Sequence, residues 1–131
     1  FAGGESDSPT GGLLSINPDN GKIDFRFPWR STSYESANAS CPVVIDNQVF
    51  ISASYKTGGA LLEVLSDFSH KLAWSTKGFA THFNTAIHRE GFLYGFDGRH
   101  PHTASLVCYE VESGKEIRVC LCGGMEGICG R

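Results

Sequence analysis

Gly12-Leu13-Leu14-Ser15-Ile16-Asn17-Pro18-Asp19-Asn20-Gly21-Lys22 aligns with Ser105-Leu106-Val107-Cys108-Tyr109-Glu110-Val111-Glu112-Ser113-Gly114-Lys115. Each stretch reads as an apolar strand, a short polar turn and a Gly-Lys pair opening a second strand. Between them, Asp46-Asn47-Gln48-Val49-Phe50-Ile51-Ser52 matches Arg89-Glu90-Gly91-Phe92-Leu93-Tyr94-Gly95. The first interval is therefore two steps of roughly 45 residues, a period that marks propeller blades when strands alone fill it.

The strands around these matches follow one plan. Leu13 to Asn17 is a strand, Pro18-Asp19-Asn20-Gly21 a turn, and Lys22 to Phe27 a second strand with period-two alternation, which Pro28 ends. A polar connector runs from Trp29 to Ser40. Cys41 to Ile45, Gln48 to Ser54, Ala60 to Leu65 and His70 to Ser75 then form a four-stranded meander, with Pro42 tolerable near a strand start. Thr81 to His88, Phe92 to Phe96, Ser105 to Val111 and Lys115 to Cys120 occupy the same four slots again. No window carries a helical period.

Val49 and Ile51 fall on one face of their strand and Phe50 on the other. A sheet apolar on both faces must stack between neighbours, and radial stacking does this while shielding strand edges. The expected fold is all-β: a partial β-propeller made of four-stranded antiparallel blades, about two complete blades plus the outer strands of another. The blade remnants are 1–28, 38–76 and 81–118, and 119–131 is an atypical Cys/Gly-rich tail. A closed propeller needs at least about four blades of roughly 40–50 residues each, more than 131 residues supply. With Phe1 at its start and Met125 its only methionine, the chain reads as a piece of a longer protein.

A net charge of −3 with mixed signs gives no basic footprint for nucleic acid. No apolar run is long enough to span a membrane as a helix. Cys41, Cys108, Cys120, Cys122 and Cys129 are odd in number, so they cannot all pair within the chain, and they leave the redox compartment open.

The order and spacing of Leu13 to Lys22, Phe25-Arg26-Phe27-Pro28-Trp29, Gly59 to Val64 and His82-Phe83-Asn84 through Leu93-Tyr94-Gly95-Phe96-Asp97-Gly98 resemble the pyrroloquinoline-quinone (PQQ) type propeller repeat. They are most similar to bacterial PQQ-like repeat proteins, a group that includes the propeller subunit of the outer-membrane assembly machinery. The resemblance covers residues 1–118. It implies an extracytoplasmic location and a tryptophan four residues after the turn glycine, docking on the neighbouring sheet. That slot holds Phe25, Trp74 and Arg118 in successive copies; the residue before the turn glycine is Asn20, Ser69 and Ser113, and the glycine itself is present as Gly21 and Gly114 but missing after Ser69. After residue 118 the pattern fails, which is the expectation for a reading-frame shift or a truncation at that point.

Function follows from the resemblance as an expectation. The chain is a non-catalytic binding or scaffold segment of a larger bacterial protein, presenting its face to a protein or small-molecule ligand and its ends to the rest of the propeller. The alternative is a piece of a quinoprotein alcohol or sugar dehydrogenase, in which PQQ and Ca2+ would be cofactors. No vicinal Cys pair and no matching catalytic Asp support that alternative. No metal ligand set is assigned. Cys120-x-Cys122 with Cys129 lacks a fourth ligand, and His100-Pro101-His102 lacks a carboxylate. The candidate ligand or partner rim is Arg30, Tyr34, Asn38, His82 and Asn84, weighed against a role in capping strands and bridging blades. Asn38-Ala39-Ser40 also fits a glycosylation acceptor.

Overall fold

The computed structural model describes residues 11–33, 35–100 and 102–121; Tyr34, Pro101, Cys122 and Cys129 lie outside the described residues, as do the side chains of Arg118 and Cys120. The described chain is all-β. Its ten strands are β1 (Gly12–Ile16), β2 (Ile23–Pro28), β3 (Val43–Ile45), β4 (Gln48–Ala53), β5 (Gly58–Val64), β6 (His70–Thr76), β7 (Ile87–Arg89), β8 (Phe92–Asp97), β9 (Ser105–Glu110) and β10 (Glu116–Leu121). They form the hairpin β1-β2 and two four-stranded meanders, β3-β4-β5-β6 and β7-β8-β9-β10, antiparallel throughout.

Turn chemistry sets the hairpins. Gly21 and Gly114 take left-handed φ of 70° and 66°, each donating its N–H four residues back, to Asn17 and to Glu110. The middle turn is one residue shorter: Phe68 N–H bonds to Leu65 O and Leu65 N–H to Ser69 O. Phe68, at φ 62°, therefore fills the left-handed slot of this glycine-less turn. An aromatic side chain there costs roughly 1–2 kcal/mol that glycine would not.

Two other expectations change. Pro28 lies within β2, tolerated because β2 pairs only with β1 and needs no donor on its outer edge. The stretch Thr81 to His88 contains only the three-residue β7. Its first part is held by side chains instead of a ladder: Ser52 Oγ donates to Phe79 O at 2.6 Å and accepts from Thr81 N at 2.9 Å, while Asp97 Oδ1 accepts from Ala80 N at 2.8 Å.

The core lies between the two meanders. Phe50 and Leu61 from one, Leu93, Val107 and Tyr109 from the other, and Phe79 from the connector form one buried cluster. Phe79 is fully buried, with its ring centroid 4.8 Å from Phe50 and 5.2 Å from Tyr109. It lies so close to β8 that a Cβ on Gly95 would stand 2.5 Å from its ring. Glycine inside a strand marks such a close approach.

Trp74 crosses the same boundary. Its Nε1 donates to Val111 O at 2.7 Å, and its indole lies over Gly114, where a Cβ would meet ring carbons at 2.5–3.0 Å. Phe25 makes the corresponding step between the hairpin and the first meander. It is buried, and its ring is 4.5 Å from His70 at the start of β6. Gly21, by contrast, has nothing within 4 Å of its Cβ direction. The short end strands β3 and β7 adjoin, and Thr85 Oγ1 accepts from Cys41 N at 3.1 Å beside them.

Candidate functional site

The connector between β2 and β3 is fastened by its own polar groups. Arg30 donates from Nε to Ser36 Oγ at 3.2 Å and from Nη2 to Ser36 O at 3.0 Å. Asn38 Nδ2 donates to Trp29 O at 2.8 Å, and Trp29 Nε1 to Gly58 O at 3.0 Å. These two rim candidates thus have structural work, and no hydrogen bond among the described residues joins them to His82. A cavity of about 660 Å³ opens beside them along β1, lined by Leu13, Phe27, Trp29, Asn38 and Ile51.

His82 belongs to a different grouping. The β4–β5 hairpin turns through Tyr55 and Lys56, both at positive φ (58° and 67°), which is the two-residue turn that normally selects Asn-Gly. Each such residue stores of order 1–3 kcal/mol and persists only where its surroundings over-determine it. Here Ser31 Oγ donates to Tyr55 O at 2.8 Å, and Lys77 Nζ to Lys56 O and Thr57 O at 3.2 Å each. The clamp aims the Tyr55 ring at two partners. Its hydroxyl lies 3.3 Å from His82 Nε2, and the Arg99 guanidinium carbon stands 3.9 Å above its centroid.

Beyond His82, the Phe83 ring lies 3.9 Å from the imidazole centroid and is 74% exposed. Partial burial, then the charges of Arg99 and His100, push the His82 pKa below the ordinary histidine value. The imidazole is thus biased toward its neutral form beside the Arg99 guanidinium. The ion pairs of the described residues, Lys71–Glu63 and Arg89–Glu90, give Arg99 no carboxylate. Asn84 Oδ1 is buried without a hydrogen-bond partner in the described structure, as are Thr81 Oγ1 and Thr57 Oγ1.

Of the rim candidates, the structure places His82 in this cluster and Asn84 two residues from it. Tyr34 lies outside the described residues. Tyr55 and Arg99 are the members that sequence reasoning missed. They come from two different hairpin ends, and a Tyr-Lys pair carries none of the usual turn signals. Among the described residues no three His, Cys, Asp or Glu side chains converge as a metal ion requires. Comparison of the chain with protein-family models and with curated proteins finds no match.

Proposed function

We propose that this chain is a PQQ-like β-propeller repeat segment serving as a non-catalytic binding and scaffold module of a larger extracytoplasmic bacterial protein. The observation that carries the reading is the repeated aromatic step from sheet to sheet. Trp74 docks on the Gly114 turn with its N–H on Val111 O. Phe25 docks at the equivalent turn of the preceding sheet, beside His70. A sheet that hands a ring to the next turn at each step is what radial stacking requires.

The hairpin β1-β2 fits the same scheme as the outer half of a blade. The cavity along β1 then marks where inner strands of that blade would lie, and the open Gly21 turn is where a preceding ring would rest. The face bearing Tyr55, His82, Phe83 and Arg99 is the binding surface, with polar and aromatic groups on a rigid scaffold.

The test uses the complete gene product, mixed with PQQ and Ca2+ and assayed for bound quinone and for dye reduction with alcohols and sugars. Neither bound quinone nor turnover is expected. Stoichiometric quinone with alcohol- or sugar-dependent dye reduction would replace this reading with that of a quinoprotein dehydrogenase.

A further inference from the structure

We infer that the Tyr55–His82–Phe83–Arg99 cluster is a site for a carboxylate carried next to an aromatic or aliphatic group, the chemistry of an acidic peptide residue flanked by an apolar one. The inference rests on the binding-module reading above and names its ligand class.

Charge is the first argument. Arg99 carries a full positive charge beside His82 and over the Tyr55 ring, in a chain whose net charge is −3. Asp97, the nearest acidic residue in sequence, uses Oδ1 to hold Ala80 N. Among the described residues no carboxylate forms an ion pair with Arg99, so its guanidinium is open to an anion.

Geometry is the second. The Arg99 guanidinium rests over the Tyr55 ring, 3.9 Å from its centroid, and a guanidinium so seated still has its planar fork of N–H donors to offer. A carboxylate is the planar acceptor that such a fork grips at two points. Phe83 supplies the apolar half of the site, exposed and resting on the His82 ring. The third argument is cost. Tyrosine is retained at φ 58°, where Asn or Gly would relieve strain, and the surrounding bonds from Ser31 and Lys77 keep it there. Those bonds hold the aromatic plate under Arg99 against the strain.

The experiment follows the His82 imidazole by NMR across pH at constant ionic strength, with phenylacetate, phenylacetamide, acetate and phenyl phosphate as probes. Phenylacetate is expected to saturate at roughly millimolar concentration and to raise the His82 pKa, because a bound anion offsets the Arg99 charge. Acetate should bind about tenfold more weakly, and Phe83→Ala should erase that difference. Phenylacetamide should leave the pKa unchanged. Arg99→Gln, at an exposed position, should abolish the phenylacetate effect while leaving the thermal melt intact. Equal binding of phenylacetamide, or an unaltered response in Arg99→Gln, would overturn the proposal, and tighter binding of phenyl phosphate would overturn its carboxylate assignment. None of these outcomes depends on whether the complete protein binds quinone, so the two readings fail separately.

Discussion

Adding one methyl group at Gly114 and at Gly21 separates sheet docking from turn geometry. Both glycines occupy the same turn position with nearly the same φ, 66° and 70°. Alanine at either site meets the same left-handed backbone penalty, roughly 1–2 kcal/mol. At Gly21 nothing lies within 4 Å, so that is the whole effect. At Gly114 the new methyl would stand 2.5 Å from Trp74 Cδ2 and 2.6 Å from Cγ, so the indole must move. Overpacking adds about 1–3 kcal/mol. Losing the 2.7 Å bond from Nε1 to Val111 O adds about 1 kcal/mol. Gly114→Ala should therefore cost about 3–6 kcal/mol and Gly21→Ala about 1–2 kcal/mol, read from urea unfolding midpoints at constant m-value. In a Trp74→Phe background the Gly114 penalty should fall towards the Gly21 value. The resulting double-mutant coupling, up to about 2–4 kcal/mol, keeps the test valid even if the single variant folds poorly. Equal penalties at the two glycines, or zero coupling, would refute docking of Trp74 on this turn.

Phe68→Gly should stabilise the chain by about 0.5–1 kcal/mol, since relief of the left-handed strain outweighs the added freedom of the unfolded chain; a lower urea midpoint would contradict it. Phe79→Ala should cost about 3–5 kcal/mol, the range for emptying a buried aromatic site, measured in the same unfolding assay. His82 has a folded pKa below its unfolded value, so it favours the folded state at and above pH 6.5 and withdraws that support as pH falls towards the folded pKa; the groups facing it are Tyr55, Arg99 and His100. Replacing it with Gln should flatten the fall of the unfolding midpoint as pH drops below 6.5. Tyr109, pushed up to about 12 by burial and by its bond to Glu116, acts in the opposite direction, its contribution being complete below pH 10 and lost as pH rises towards 12. Tyr109→Phe should remove that alkaline loss. Leu14, on a strand of the two-stranded sheet and 46% exposed, should drive self-association, and Leu14→Lys should shift sedimentation towards monomer.

Much of the fold was legible because strand and turn signals are local. Period-two alternation in Lys22 to Phe27 and glycine at positions 21, 91 and 114 each dictate backbone shape without reference to the rest of the chain. The left-handed residue of the middle turn was not legible, because one residue is missing from that turn and a positive φ in phenylalanine leaves no mark in composition. Phe79 looked like an ordinary connector residue. Its clue was Gly95, inside a strand, since only a ring pressed on the backbone explains that glycine. The candidate site was the least legible part. The sequence singled out His82 only from its position before a strand, and Tyr55 and Arg99 meet it only after two sheets have stacked. Arg30 and Asn38 had the right residue types and the right region, yet nearby carbonyl and hydroxyl groups claimed them.

The most direct test of the stacked-blade account is an NMR measurement on the Trp74 ring. The account predicts strong cross-peaks from the indole protons to the Gly114 α-protons, an upfield ring-current shift of those α-protons, and an indole N–H that exchanges slowly while bonded to Val111 O. An indole N–H that exchanges at the free-tryptophan rate, with no contact to Gly114, would contradict it.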